Sequence, residues 1–163
     1  MKTLLIVYHT MTGGTLQMAQ AAADGAATVE SVTVRLLRAP EAGAEDVLAA
    51  DGFIFATPEN LAAISGQLKD FFDRSYYAVL DRINGRPYAT LVCAGSDGTN
   101  AARQIERIAT GWRLKQVVPA LIVCTHAQTP EEILRPKQID TADLARCEEI
   151  GAGLAEGLAL GIF

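Results

Sequence analysis

An α/β fold, built on a parallel sheet with helices over both faces, is the architecture this sequence predicts. Two observations carry it. Short apolar runs recur along the 163 residues, and most are unbroken, as strands buried on both faces require. Between them lie stretches whose apolar residues return every three or four positions, the signature of helices with one buried face. Strand and helix in alternation put the sheet in the middle and the helices outside. No repeat, low-complexity tract or linker interrupts the pattern, so residues 1–163 are expected to form one domain with one core.

The elements follow in order. The run TLLIVY, 3–8, is the first strand, and Leu16, Ala19, Ala23 and Ala26 stripe the helix after it. SVTVRLL, 31–37, alternates more and suits a sheet edge. A short helix is expected over 44–50, with Asp51-Gly52 at its end. GFIFAT, 52–57, precedes a helix carrying Leu68, Phe71, Phe72 and Ser75 through Val79. YATLVCAG, 88–95, precedes one carrying Ala101, Ile105, Ile108 and Trp112, whose spacing makes them core contacts. ALIVCT, 120–125, is the fifth strand and runs without interruption. Leu144, Cys147, Gly151, Leu154 and Leu158 line the last helix. The irregular stretch THAQTPEEILRPKQID, 125–140, is expected to hold one helical turn near 130–134 and to serve as a functional or contact loop.

Composition removes several classes. Half of the residues are hydrophobic and 20% are charged, which is globular. The net charge of −5 offers no basic face for nucleic acid and no polybasic membrane patch. No apolar run reaches spanning length, and LLIVY is too short for a signal peptide. Cys93, Cys124 and Cys147 form neither a CxxC pair nor an even disulfide set, so buried thiols and a cytoplasmic location are expected. No Cys/His cluster points to a metal. His9 and His126 are the only histidines and form no obvious Ser-His-Asp set. A phospho-receiver needs aspartates after the first and third strands, where His9-Thr10 and Thr57-Pro58 stand instead.

In open α/β sheets ligands bind beyond the carboxyl ends of the strands. Segments 9–15, 57–66, 94–100 and 125–138 are therefore the candidates. The first reads YHTMTGGTLQ from residue 8. A strand-to-helix loop offers unpaired N–H groups and the positive end of the helix dipole. Glycines admit a ligand close to the backbone, and threonine hydroxyls donate to phosphate oxygens or cap the helix. This makes an anion site without a charged side chain. The GKS/T ending of a triphosphatase loop and the GxGxxG spacing are both absent.

Thr10-Met11-Thr12-Gly13-Gly14-Thr15 resembles T/S-x-T-G-x-T, the loop that holds the FMN phosphate in the flavodoxin family. Residues 57–73, TPENLAAISGQLKDFFD, resemble the second flavin loop of WrbA-type NAD(P)H:quinone oxidoreductases, with the six-residue gap from Glu59 to Ile64 kept. The Thr-Pro-Glu start is also similar to the PEYN loop of NADPH-dependent FMN reductases, with Asn60 in the place of the tyrosine. AGSDGTN, 94–100, is loosely similar to the third flavin loop. The resemblance implies a flavodoxin-like three-layer sandwich with a five-stranded parallel sheet in the order 2-1-3-4-5, and FMN at the switch between the first and third strands. It implies hydride transfer from NADPH or NADH through FMN to a quinone or another small acceptor. The alternative is a flavodoxin-type electron carrier with a protein redox partner.

By the same resemblance, Thr10, Met11, Thr12, Gly13, Gly14 and Thr15 would hold the 5′-phosphate. Pro58, Glu59, Asn60 and Leu61 would run along the ring, with Ser65 completing that motif. Gly95, Ser96, Asp97 and Gly98 would meet the ring edge. His9 is either a flank of the phosphate or a partly exposed strand-end histidine. A carboxylate near the reduced ring opposes its charge, so Asp97 reads better as a cap of the next helix or as pointing to solvent. Neither ENLAAIS nor AGSDGTN holds an aromatic residue to stack on the ring. An open face suits nicotinamide and favours a reductase, with Tyr76, Tyr77 or a partner subunit left as ways to cover it. Arg103, Arg107 and Arg113 read as a solvated helix face rather than a nucleotide site. Related reductases pair through helices beside the flavin, which implies a homodimer or homotetramer.

Overall fold

The computed structural model describes residues 1–163. Its strands are β1 (Lys2–Tyr8), β2 (Val32–Arg38), β3 (Gly52–Asn60), β4 (Ala63–Ile64), β5 (Pro87–Ala94), β6 (Lys115–Gln116) and β7 (Leu121–Cys124). Its helices are α1 (Gly14–Ala27), α2 (Ala44–Ala49), α3 (Gly66–Val79), α4 (Thr99–Gly111), α5 (Pro130–Leu134) and α6 (Thr141–Leu160). The parallel sheet runs β2-β1-β3-β5, with β2 at one edge as its alternation predicts. The fifth place is shared, since both β6 and β7 pair with the free edge of β5.

The run ALIVCT is unbroken as β7, and what the sequence did not show is the short β6 that precedes it in the same place. Tyr88 faces Gln116 and Leu91 faces Leu121, so the offset grows from 28 to 30 residues and two residues bulge out between the pieces. Pro119 lies in the bulge and has no N–H to donate to the ladder. Lys115 and Gln116 are exposed and polar, so nothing apolar marks them as strand. The sequence also missed β4, which folds back antiparallel on the end of β3.

The two faces of the sheet are filled differently. Leu4, Ile6, Ile54 and Leu91 face α1 and α6 across a layer rich in alanine. There the two helices touch through backbone: a Cβ on Gly151 would stand 1.8 Å from the Ala22 carbonyl oxygen, and one on Gly25 2.1 Å from that of Glu148. On the other face Phe55 lies 4.9 Å from Phe72 and 6.3 Å from Trp112, ring centre to ring centre, with Phe53, Phe71 and Tyr88 around them. Large rings hold α3 and α4 at a distance, and small residues draw α1 and α6 in. All the strand ends that carry candidate loops open on one side.

Candidate functional site

A cleft of about 510 Å³ lies at the carboxyl ends of β1, β3 and β5. Its first wall is the loop between β1 and α1. Gly13 takes the left-handed backbone there, φ 92°, and its N–H donates to Thr10 Oγ1 at 3.0 Å. This turn leaves the N–H groups of residues 14–16, in the first turn of α1, without carbonyl partners. The Thr15 hydroxyl is buried and has no partner in the protein. Gly14 is pressed against the floor: a Cβ would come 2.7 Å from Cys93 Sγ and 3.3 Å from Lys137 Cβ. Thr10, Met11, Thr12, Gly14 and Thr15 all line the cleft.

The second wall is the β3–β4 hairpin. Pro58, Glu59, Asn60 and Leu61 line the cleft, joined by Ala62. The hairpin turns at Leu61 and Ala62, both with positive φ, 49° and 59°. A two-residue turn of this hand favours Asn-Gly or Asp-Gly, so Leu-Ala carries strain and no sequence signal. Its supports come from α4: Gln104 Oε1 accepts the Ile64 N–H at 2.8 Å, and Asn100 donates to the Ala62 carbonyl. Leu61 points fully into solvent. The floor is Cys93, Ala94, Gly95 and Ser96. Burial pushes the Cys93 thiol up to about 11, so it is a neutral, packed group.

Five of the expected residues stand outside the lining. Gly13 shapes the first loop from behind. Ser65 is fully buried, where its hydroxyl accepts the Leu68 N–H at 3.3 Å and caps α3, and its own N–H donates to Thr57 Oγ1 at 3.0 Å. The serine of the SGQLK motif therefore fixes the helix after the hairpin. Asp97 accepts the hydroxyl and N–H of Thr99, which hold its carboxyl below the usual range, and Gly98 is the N-cap residue just before α4. His9 is 5% exposed, with Nδ1 unpartnered, so it is buried rather than partly exposed and does not line the cleft. Burial first, and then the nearby Arg38, lowers its pKa and favours the neutral imidazole.

The fourth side of the cleft comes from segment 125–138, a candidate from its place after the fifth strand, although none of its residues was singled out for the site. Thr125, Ala127, Gln128, Ile133, Leu134 and Lys137 close it. These residues belong to the irregular segment around α5, whose helical turn lies at 130–134 as expected. The Lys137 N–H donates to the Thr12 carbonyl at 2.8 Å, so the segment is stitched to the first loop. Position at the carboxyl end of a strand marked the segment, and nothing in the sequence marked its tie to the first loop. No aromatic side chain lines the cleft. Tyr76 and Tyr77 pack on each other along α3, away from it.

A three-layer α/β sandwich with its cleft at the switch between β1 and β3, cradled by a Gly/Thr loop, is flavodoxin-like. Residues 38–129 match the family model described as NADPH-dependent FMN reductase, and the chain belongs to that family. A protein named flavodoxin from Aquifex aeolicus (strain VF5) is 38% identical over 96 residues, 59% of this chain and 50% of its own length. A NAD(P)H dehydrogenase (quinone) from Acidithiobacillus ferrooxidans is 33% identical over 95 residues, 46% of this chain and 48% of its own. The chain spans about half the length of these curated relatives. The flavodoxin, WrbA-like protein from Agrobacterium tumefaciens shares the fold at a TM-score of 0.73, with 21% identity, 98% of this chain and 99% of that one covered.

Proposed function

We propose that this chain binds FMN in the cleft and serves as an NAD(P)H-dependent reductase of a quinone or another small acceptor. The observation that carries the reading is a cleft with a phosphate cradle at one end and no aromatic residue in its lining. The free N–H groups at the start of α1 and the unpartnered Thr15 hydroxyl fit a phosphate monoester. The apolar Pro58, Leu61 and Ala94 fit a flat ring system beyond it. Bound FMN would supply the redox chemistry, taking two electrons and a proton as hydride from NADPH or NADH and passing them on.

The residues supply binding and access. Thr10, Thr12, Gly14 and Thr15 hold the phosphate end. Pro58, Glu59, Asn60 and Leu61 present the hairpin edge, and Gly95 and Ser96 the opposite edge. With no aromatic side chain in the lining, one face of a bound flavin would be left open to nicotinamide and then to the acceptor. A quinone leaving as hydroquinone takes two electrons and two protons, the second proton from solvent. The same reading includes a single domain, a cytoplasmic setting and self-association through exposed residues such as Tyr77. No helix is long and apolar enough to cross a membrane.

The test is an absorbance spectrum of the protein mixed with FMN, followed by NADPH or NADH without oxygen. A shifted flavin band that bleaches in one stage supports the reductase. The 38% identity to a protein named flavodoxin favours the second reading, an electron carrier. A bound flavin that ignores both nucleotides, yet bleaches with dithionite in two separate stages, would establish that reading instead.

A further inference from the structure

We propose that Lys137 is the cation that recognises the ligand's phosphate, and that Gln17 is the positioning residue that holds Lys137 there. The inference rests on the FMN reading above. The first loop carries no lysine or arginine, yet the fold brings an ammonium to it from 125 residues away along the chain. Lys137 Nζ donates to Thr12 Oγ1 at 3.3 Å, to the Ile133 carbonyl at 2.7 Å and to the Arg135 carbonyl at 2.7 Å. Its three donors are thus aimed. The two short bonds to carbonyls fix the ammonium at the end of α5. The long one points into the cradle and is the one an incoming phosphate oxygen would take over.

The charge is uncommitted. None of the six ion pairs in the chain includes Lys137. Its side chain lines the cleft beside Gly14 and Thr15. It is also only partly exposed, so its field acts at the cradle with less screening than a free surface lysine has.

The backbone that delivers it is clamped. The Gln17 side-chain amide donates to the Lys137 carbonyl at 2.8 Å and to the Gly13 carbonyl at 3.0 Å, and its Oε1 accepts the Ile139 N–H at 3.0 Å. One side chain of α1 therefore grips both the first loop and the returning segment. Two parts of the chain are held in register at the point where the anion would sit. An ammonium there predicts discrimination: FMN, which carries the phosphate, should be preferred over riboflavin, which lacks it.

The experiment titrates FMN and riboflavin, by quenching of flavin fluorescence, into the wild type, Lys137→Met, Lys137→Arg and Gln17→Leu. The expected result is a loss of FMN affinity of roughly 10- to 100-fold in Lys137→Met, as for a lost charge-assisted hydrogen bond. Riboflavin affinity stays unchanged, and the dependence of FMN affinity on salt becomes shallower. Lys137→Arg keeps most of the preference, and Gln17→Leu loses part of it. An equal loss for both flavins in Lys137→Met would make the lysine a purely structural tie and overturn the assignment. So would no loss at all. A wild type that binds riboflavin as well as FMN would overturn the phosphate recognition while leaving the flavin reading intact. A wild type that binds neither would overturn both.

Discussion

The two walls of the cleft are held by opposite means. The Gly/Thr wall is clamped from several sides: Cys93 lies beneath Gly14, Gln17 ties its start, and the Lys137 N–H reaches across to the Thr12 carbonyl. The hairpin wall is strained and free at its tip: Leu61 and Ala62 take left-handed backbone, and only Asn100 and Gln104 reach it from α4. A fixed charge is best met by dipoles that do not move, since reorganising them weakens the interaction. A flat ring that must admit two different reactants is better bordered by a short turn with few ties. The difference teaches that affinity should reside in the first wall and access in the second.

The strongest way to break the contrast is to fill the clamped wall. Gly14→Ala places a methyl 2.7 Å from Cys93 Sγ, and overpacking of this kind costs about 1–3 kcal/mol. If that falls on the bound state, FMN affinity drops roughly 5- to 150-fold. Cys93→Ala in the same chain should restore most of it. A fluorescence titration of both variants checks this, and a double variant as weak as the single one would show that Sγ is not the obstacle.

Next in size is Gln17→Leu, which removes three hydrogen bonds that join the first loop to residues 137–139. We expect a stability loss of about 1–3 kcal/mol and faster amide hydrogen exchange at Ile139, both measurable without flavin. Unchanged exchange at Ile139 would mean that the segment is held by other contacts. On the free wall the sign reverses. Ala62→Gly relieves a left-handed alanine and should stabilise the protein by about 0.5–1 kcal/mol, read as a higher urea midpoint. A lower midpoint would show that the turn is not strained.

The smallest effect is set by pH. His9 has its pKa lowered from 6.5 in the folded protein. The unfolded chain therefore binds more protons below that value, and stability should fall as pH drops through about 6.5 toward the folded pKa. Thermal melts between about pH 7.5 and about pH 5, which bracket the histidine reference value, should show this slope in the wild type. In His9→Leu the slope should be shallower, and equal slopes would assign it to other groups.

The layers and most element limits were legible because each follows from periodicity over many residues, while the strand order came from the resemblance of the first two loops to the flavodoxin-like families. Gly14 and Thr15, with Pro58, Glu59 and Asn60, were legible as site residues following the first and third apolar runs, although the structure puts the first two in the opening turn of α1 and the other three at the end of β3. What was hidden depends on contacts between distant segments. Leu61-Ala62 has none of the residues that announce a tight turn, so β4 passed unseen. Lys115-Gln116 becomes strand only because the edge of β5 stands open beside it. Ser65 looked like part of a ligand motif, and only burial reveals it as the cap of α3. Lys137 is one charge in a polar stretch until Gln17, 120 residues earlier, fixes where its backbone lies.

The backbone contact between α1 and α6 has a consequence for how the chain is made. The ribosome releases β1 and α1 long before α6, yet the backbone contacts of Ala22 with Gly151 and of Gly25 with Glu148 need that late helix. One side of the sheet must therefore wait, half covered, while more than a hundred residues emerge. The aromatic side has all its members, from Phe53 to Trp112, by the time α4 is finished. Nascent chains should accordingly mature one side first, with closure of the alanine-rich side as the last event.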